Sequence, residues 1–409
     1  MVAATVRRLG WRQTTLGEIG EYLNGRGFKK SEWSDRGRMI IRIQDLTGSN
    51  NDPNYFAGDC DEKHVVREGD LLISWAATLD AFLWKGPEAV LNQHIFKVRS
   101  AIDRRFHFYL VKRVLGDIRQ RAHGSGMVHI TKGEFERTPV LVPESVEQQA
   151  RIADEIEQQL SRMDAARATL LHARSRARVL RSSLLDRAWD GINREPGVEQ
   201  DWRTLSELSS DSDYGTSQKA TYEASGPPIL RIPNVGSRSL DLADVKHATR
   251  PEALNPSRSL QPGDLLIVRT NGSRDLIGRA ALVESNLAPA HYHASYLIRF
   301  RLRGDPTLWR WISLVWSAPK LRRRIEALAA TSAGQYNLNM RSLLSLRLPI
   351  PPAGRLVEKV AELERRLTNL DELDREVSVN LLRLPGLGQT ILRQALSGAT
   401  GERLPGQVQ

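Results

Sequence analysis

The apolar positions of this chain follow two patterns, one with the period of a helix and one made of short buried runs. From residue 145 to 189, apolar side chains recur at Ile152, Ile156, Leu160, Met163, Ala166, Leu170, Ala173, Ala177, Leu180, Leu184 and Ala188. From 353 to 396 they recur at Leu356, Val360, Leu363, Leu367, Leu370, Leu373, Val377, Leu381 and Leu384. Steps that alternate between three and four residues predict helices that pack lengthwise on another helix. Each is a rod of roughly 65 Å at 1.5 Å per residue. A rod of that length with one apolar edge needs a partner in water, and the other rod is the most economical one. The pattern predicts an antiparallel pair of helices with a globular unit at each end. Pro385, Gly386 and Gly388 interrupt the second seam. A proline costs about 3 kcal/mol inside a helix, so a kink or break is expected there, with residues 389–396 packing as a separate short helix.

Outside the rods the apolar runs are short and bounded by turns. Residues 39–43, 71–75, 90–98 and 139–143 read as strands, the second entered through a Gly69-Asp70 turn. Residues 106–122 read as a helix, and 191–200 as a linker rich in Gly, Pro and charge. The pattern then returns. Trp202 echoes Trp11, residues 228–234 echo the run through Arg42, and Gly263-Asp264 with its strand echoes Gly69-Asp70. Equivalent motifs keep one spacing in the rods, while in the globular parts the spacing drifts by about twenty residues. An internal duplication accounts for this, and two similar units related by an approximate two-fold axis suit a target of two half-sites on duplex DNA.

Composition narrows the class. The 409 residues, 40% hydrophobic and 26% charged, are ordinary for soluble globular protein of two to four domains. A net charge of +11 favours a polyanionic partner. The single cysteine, Cys60, excludes internal disulfides and a Cys-based zinc site and suits a reducing cytoplasm. There is no apolar run of 18 residues and no apolar core behind the arginines near the start, so neither membrane insertion nor secretion is expected.

The order of these motifs resembles a known family. A Leu-Gly-Glu-Ile opening at 16–19, Arg-Ile-Gln-Asp at 42–45, Gly-Asp-Leu-Leu-Ile-Ser-Trp at 69–75, Asn-Gln-His-Ile-Phe-Lys-Val at 92–98 and Gly-Ser-Gly-Met-Val-His-Ile-Thr-Lys at 124–132 are followed by a Pro-flanked helix. The second half matches through Tyr-Gly-Thr-Ser at 214–217, Leu-Arg-Ile-Pro-Asn at 230–234, Gly-Asp-Leu-Leu at 263–266 and the run 391–398. Together they are similar to the specificity subunit of type I restriction–modification systems. The resemblance implies an α+β chain: two mixed α/β target recognition domains joined by two long antiparallel helices forming a coiled coil, as a pseudo-two-fold internal repeat. Its parts are residues 1–143 and 201–351 as target recognition domains, 144–190 and 352–398 as long helices, 191–200 as linker and 399–409 as tail. It also implies double-stranded DNA, two methyltransferase subunits and restriction/translocase subunits as partners. S-adenosylmethionine, ATP and Mg would sit on those partners and none in this chain.

The chain lacks its own catalytic signatures. Residues 51–55, Asn-Asp-Pro-Asn-Tyr, only mimic the Asn/Asp-Pro-Pro-aromatic loop of a methyltransferase, and no phosphate-cradling Gly-x-x-x-x-Gly-Lys-Ser/Thr loop exists. Asp61-Glu62-Lys63 lacks the spacing of a nuclease carboxylate set. The nine histidines show no i, i+4 ligand pair, and His291 with His293 reads as a surface pair. Catalysis is expected in partner chains. The rival is a self-contained DNA-modifying or DNA-cleaving enzyme with two DNA-binding domains.

Candidate DNA contacts follow from residue type and place. Arg42, with Gln44 beside it, and Arg231, with Asn234, occupy equivalent points; a bidentate pair with guanine and a structural pair with an acid such as Asp45 both fit, and retention in both copies favours the latter. Sequence readers should differ between the halves. Ser74, Trp75 and Thr78 against Arg269, Thr270, Asn271, Ser273 and Arg274 is such a difference after a shared turn. The loops 124–132 and 331–341 offer Ser125, His129, Thr131 and Lys132, and Gln335, Asn337, Asn339 and Arg341, where small residues permit close approach to phosphate and amides can read adenine. Lys29, Lys30 and Lys219, with Thr216, follow Gly-containing turns and suit phosphate. Asn92 and His94 read as structural. Arg174, Arg176, Arg178 and Arg181 make the first rod basic, either beside DNA or as a solvated face.

Overall fold

The structure is a computed structural model that describes residues 10–50, 52–75, 78–121, 131–190, 201–236, 238–332 and 335–397. The chain divides into two units, one formed by Met1–Leu170 with Val379–Gln409 and the other by Leu171–Ser378.

In the first unit a four-stranded antiparallel sheet runs in the order Gly20–Asn24, Ile95–Ser100, Leu71–Ser74, Asp80–Leu83. Leu71–Ser74 is central and buried along its whole length, as its unbroken apolar run predicts. A second sheet is built on Arg38–Ile41 lying parallel to Ala89–Leu91. Trp11–Thr15 pairs with Pro139–Pro143 and so ties the start of the unit to its end. The helix Arg104–Arg121 covers the first sheet through Phe106, Leu110, Val111, Val114 and Leu115.

The second unit repeats this order with its own strands. Ser209–Tyr214, Leu297–Leu302, Asp264–Val268 and Ala280–Leu282 form the antiparallel sheet, and Pro228–Leu230 lies parallel to Tyr292–His293 in the other. Asp201–Thr204 pairs with Arg347–Ile350. Two helices, Pro306–Trp316 and Pro319–Leu328, stand where the first unit has one. A small additional sheet joins Thr270–Asn271, Gln335–Asn337 and Ala330–Ser332.

The Gly-Asp-Leu-Leu motif is a fold device in both units. Gly69 and Gly263 sit at φ of +83° and +89°, a region open mainly to glycine. The aspartate that follows folds back on its turn: Asp70 accepts from the Arg67 N–H at 2.9 Å and Asp264 from the Gln261 N–H at 2.8 Å. Each aspartate also meets a cation on the neighbouring strand. Lys97 Nζ lies 2.9 Å from Asp70, and Arg301 Nε lies 2.8 Å from Asp264.

The long helices are Val146–Asp190 and Ala353–Ala395, of 45 and 43 residues. Within the first unit, Ile152 and Ile156 share a core with Leu392 and Leu396, while Met163 meets Gly388. Within the second, Ala177, Leu184 and Trp189 share a core with Leu356, Val360, Leu363, Leu367 and Leu370. Arg174 bonds Asp374 at 2.9 Å and Arg181 bonds Asp371, so rising numbers on one helix meet falling numbers on the other. Two of the four arginines in the basic stretch are therefore held by acids of the second helix.

Two expectations for the rods are corrected. The seam is buried over only part of its length, and Leu180 and Leu373 stand exposed. The second helix does not break at Pro385 but continues through it to Ala395, without a separate final helix. Proline removes one i→i−4 hydrogen bond from a ladder of many. The turn beyond it is held independently, by Thr390 Oγ1 donating to the Gly386 carbonyl, by Arg393 Nε donating to Asp117 at 2.9 Å, and by burial of Leu392 and Leu396.

Candidate nucleic-acid interface

In each unit three chain segments meet at one end of the antiparallel sheet. In the second unit these are the exit of Ser209–Tyr214, the exit of Asp264–Val268 and the entry to Leu297–Leu302. The Thr216 N–H donates to the His293 carbonyl at 2.8 Å, the Ser295 N–H to the Thr216 carbonyl at 2.9 Å, and the Arg269 N–H to the Tyr296 carbonyl at 2.9 Å. A fourth segment arrives when the Leu338 N–H bonds the Arg269 carbonyl and the Met340 N–H bonds the Tyr214 hydroxyl, at 2.9 and 3.2 Å. The first unit uses the same places: the Gly25 N–H donates to the Ile95 carbonyl at 3.1 Å and the Trp75 N–H to the His94 carbonyl at 3.5 Å. Glycine is required at the crossing. A Cβ at Gly25 would lie 2.2 Å from the Asn92 carbonyl oxygen, and one at Gly215 would lie 2.1 Å from that of His293.

The side chains carried there differ. In the second unit the Arg269 guanidinium lies 4.6 Å from the centre of the Tyr214 ring, which is partly exposed, and Tyr296 stands exposed beside them. Thr270 pairs with Asn337, its hydroxyl 3.0 Å from the Asn337 amide oxygen, so the two donor-rich stretches of the sequence form one small sheet. Asn271 accepts from the Ser273 N–H at 2.7 Å, and Ser273 is exposed. In the first unit Trp75 stacks on Phe96 at 5.8 Å and 25°, beside the His94 ring. Lys132 Nζ is 6.0 Å from the Phe96 ring and 3.5 Å from Glu136. Thr131 and Asn339 each cap the short helix that follows, accepting N–H bonds from Glu134 and Ser342.

The remaining candidates lie nearby or elsewhere. Lys29 and Lys30 are exposed on a helical turn that ends at Trp33, whose ring faces the Arg42 guanidinium at 5.5 Å. The Arg42 N–H bonds Asp45 at 2.8 Å and its side chain lies 3.9 Å from the same carboxylate; Gln44 is exposed in that turn. Arg231 mirrors this, with its N–H on Asn234 at 2.8 Å, its guanidinium 3.5 Å from Asp244 and 5.8 Å from the Tyr222 ring. Lys219 and Arg341 are exposed and Thr216 is half-buried. Arg274 is turned to Glu326 at 3.2 Å. Gln335 pairs in its strand with Ser332, and Ser125 and His129 lie outside the described residues.

Three readings are corrected. Asn234 is buried, and its amide donates to the carbonyls of Asp241 and Asp244 at 2.9 and 2.7 Å, so it shapes a loop and has no free edge for a base. Ser74 is buried too, with its hydroxyl on the Thr78 carbonyl. His291 and His293 are buried rather than on the surface, because His291 Nδ1 turns onto the Pro289 carbonyl at 2.6 Å and His293 packs beside Asp213 at 3.4 Å. His94, read as structural, is exposed, as are Gln93, Trp33, Tyr222 and Tyr296. The available signal was a large or polar side chain one or two residues from a required glycine or a strand end, in a place where the two halves differ.

The electrostatics also differ. Arg299 is 1% exposed, with Nε 2.9 Å from Asp213 and Nη1 3.5 Å from Asp264, and with a further bond to Asp211 at 2.5 Å. That guanidinium lowers the pKa of Asp211. Burial pushes His293 down to about 4. The equivalent positions of the first unit hold Leu23, Leu91 and Lys97, as the strand registers place them. Among the described residues no group of three or more His, Cys, Asp or Glu is set to hold a metal ion, and no helix is long and apolar enough to cross a membrane.

Comparison with known proteins shows what these arrangements are similar to. Residues 9–170 match the family model described as type I restriction modification DNA specificity domain. The type I restriction enzyme EcoBI specificity subunit of Escherichia coli is 22% identical over 426 residues, covering 95% of this chain and 86% of that protein. The EcoKI specificity subunit of Escherichia coli strain K12 is 26% identical over 299 residues, covering 71% and 64%. The fold is shared with a chain solved in work on complex assembly and conformational transition of the type I R-M system, at TM-score 0.71 and 18% identity over 95% of this chain and 98% of that one. It is also shared with the crystal structure of the HsdS subunit from Thermoanaerobacter tengcongensis, at TM-score 0.62 and 20% identity over 96% and 98%. Residues 9–170 are therefore similar to the type I restriction modification DNA specificity domain, and the chain as a whole shares the fold of the two solved structures.

Proposed function

We propose that this chain is the DNA sequence-recognition subunit of a type I restriction–modification complex, without an active site of its own, and that it reads an interrupted target of two parts. Residues 1–143 and 201–351 act as target recognition domains descended from one duplicated unit, each reading one part. The long helices, residues 144–190 and 352–398, pair as an antiparallel coiled coil that sets the gap; 191–200 is the linker and 399–409 the tail. The observation that carries this reading is the repeated strand order, which delivers unlike side chains to the same sheet end: Trp75 and His94 in one unit, Arg269 and Tyr296 in the other. A shared scaffold with unlike tips is what reading two different base sequences requires.

Partner docking is supported by large apolar side chains left exposed on the helices. Val379, Leu382 and Leu387 stand out from the first unit, and Leu171, Val179, Leu180 and Leu373 from the second. Such residues suit a protein interface better than water. Two methyltransferase subunits would dock there, with restriction subunits joining the assembly in the cytoplasm. S-adenosylmethionine, ATP and Mg belong to those partners.

The test is an exchange of residues 1–143 for the corresponding unit of another family member, assembled with the methyltransferase subunits. Methylation-sensitive sequencing should find one half of the motif changed and the other intact. A change in both halves would refute modular reading.

A further inference from the structure

Just behind the reading end of the second unit lies a cavity of about 280 Å³, among Asp213, Tyr214, Thr216, Asn255, Arg258 and His293, with Tyr292 also on its wall. That is near the low end of ligand pockets, enough for one planar ring system. Its inner wall is polar and incompletely bonded. His293 is 2% exposed, and its Nε2 lies 3.4 Å from Asp213 Oδ1 without a hydrogen bond. Asp213 Oδ2 is likewise buried without a hydrogen bond, with Arg258 Nε 3.7 Å away. Buried polar atoms left in this state are costly, and they mark places where a missing partner belongs.

The surroundings define that partner. Asp213 is held from behind by Arg299, which is itself fixed between Asp213, Asp211 and Asp264, so the carboxylate is anchored. An anchored carboxylate accepts from N–H donors. Tyr292 also lines the wall, whereas the Tyr214 ring is turned to Arg269 and the Met340 N–H, on the strand face opposite Asp213. The outer rim is Gly215, Thr216 and Ser217, part of the loop that crosses at the reading end. The first unit has Leu23 and Leu91 in place of Asp213 and His293, so only the second unit carries this polar lining among the described residues.

We propose that this cavity receives a single nucleobase rotated out of the bound duplex, its amino group on Asp213 and its ring edge on His293. The inference rests on the recognition function proposed above and adds an extrahelical contact to it. Adenine, cytosine and guanine carry the exocyclic amine that Asp213 would accept; thymine does not and is disfavoured. Extrusion costs unstacking and unpairing, which a pocket with unused hydrogen-bonding groups offsets. It would give the second unit specificity at a position that no side chain reaches in the groove.

The test uses the full chain assembled with its methyltransferase subunits, on duplexes bearing its methylated motif. Each amino-bearing base of the second half-site is placed in turn opposite an abasic site, which removes the pairing cost. One position should bind at least about tenfold tighter than the intact duplex, the factor that ~1.4 kcal/mol of spared unpairing returns. His293→Leu, which installs the residue type of the first unit, should abolish that gain. Ala253→Trp fills the cavity from its exposed rim, leaves the Arg299 network untouched, and should do the same. Both variants should keep selectivity for the first half-site. If no position shows the gain while the intact motif is still bound selectively, or if Ala253→Trp leaves the gain in place, the cavity holds no base. Loss of all motif-selective binding by the unmodified protein would instead refute the recognition function.

Discussion

The two units solve one structural problem with different chemistry. At the centre of the antiparallel sheet, the first unit sets Lys97 against Asp70, a pair with 12% and 15% of the side chains exposed, and surrounds it with Leu23 and Leu91. The second sets Arg299 against three aspartates and adds His293. A lysine is a compact charge that one carboxylate and one carbonyl can satisfy, and Lys97 also donates to the Val65 carbonyl at 2.6 Å. A guanidinium carries five donors in a rigid fork and needs several acceptors. Once arginine occupies the site, the strands around it must supply acids, and the reading loop that leaves Asp213 is tied to that network. Beside it the second unit has a polar cavity, with Asp213 and His293 at the positions of Leu23 and Leu91 in the first.

Removing the central cation breaks the comparison most severely. Arg299→Met leaves the mostly buried Asp213 without its main partner and removes one of the two cations on Asp264, and should destabilise the second unit by about 3–5 kcal/mol. Lys97→Met, at a more hydrated pair, should cost the first unit about 2 kcal/mol. Chemical denaturation of the two variants followed by unit-specific tryptophan signals checks this, and equal losses would mean the networks are equivalent.

Acid sharpens the comparison next. Each unit buries a histidine whose pKa is pushed down, His107 in the first, bonded to the Tyr22 hydroxyl at 2.9 Å, and His293 in the second. Burial pushes both down to about 4 from an ordinary 6.5. Between those values the unfolded chain binds protons that the folded one does not, so stability is complete above about pH 6.5 and is lost as pH falls toward 4. The loss is at most about 3 kcal/mol per histidine. His293→Leu should flatten the profile of the second unit and leave that of the first, measured by urea denaturation from neutral to mildly acidic pH.

The smallest effects belong to the tips. Arg269→Ala should lower discrimination at one half-site by about 1–3 kcal/mol, and Trp75→Ala should act only on the other half, both measured by competition with single-base variants of the motif. An Arg269 variant that weakens both halves equally would show that this side chain holds phosphate instead.

Local rules carry far in this chain. The three-four spacing of Ile152, Ile156 and Leu160 and of Leu356, Val360 and Leu363 requires helices, and the Gly-Asp turns require entry into buried strands, because each signal depends on neighbours within a turn or two. Other outcomes depend on residues far apart in sequence. Asn234 has the type of a base reader, yet the carbonyls of Asp241 and Asp244 claim its amide. His293 has the type of a surface ligand, yet it closes a cavity beside Asp213. Pro385 has the type of a helix breaker, yet core burial of Leu392 and Leu396 carries the helix past it. A side chain's chemistry is written in the chain, but whether that chemistry faces water, DNA or another buried group is decided only when strands distant in sequence close around it, since burial and partner distance determine what a polar atom is left to do.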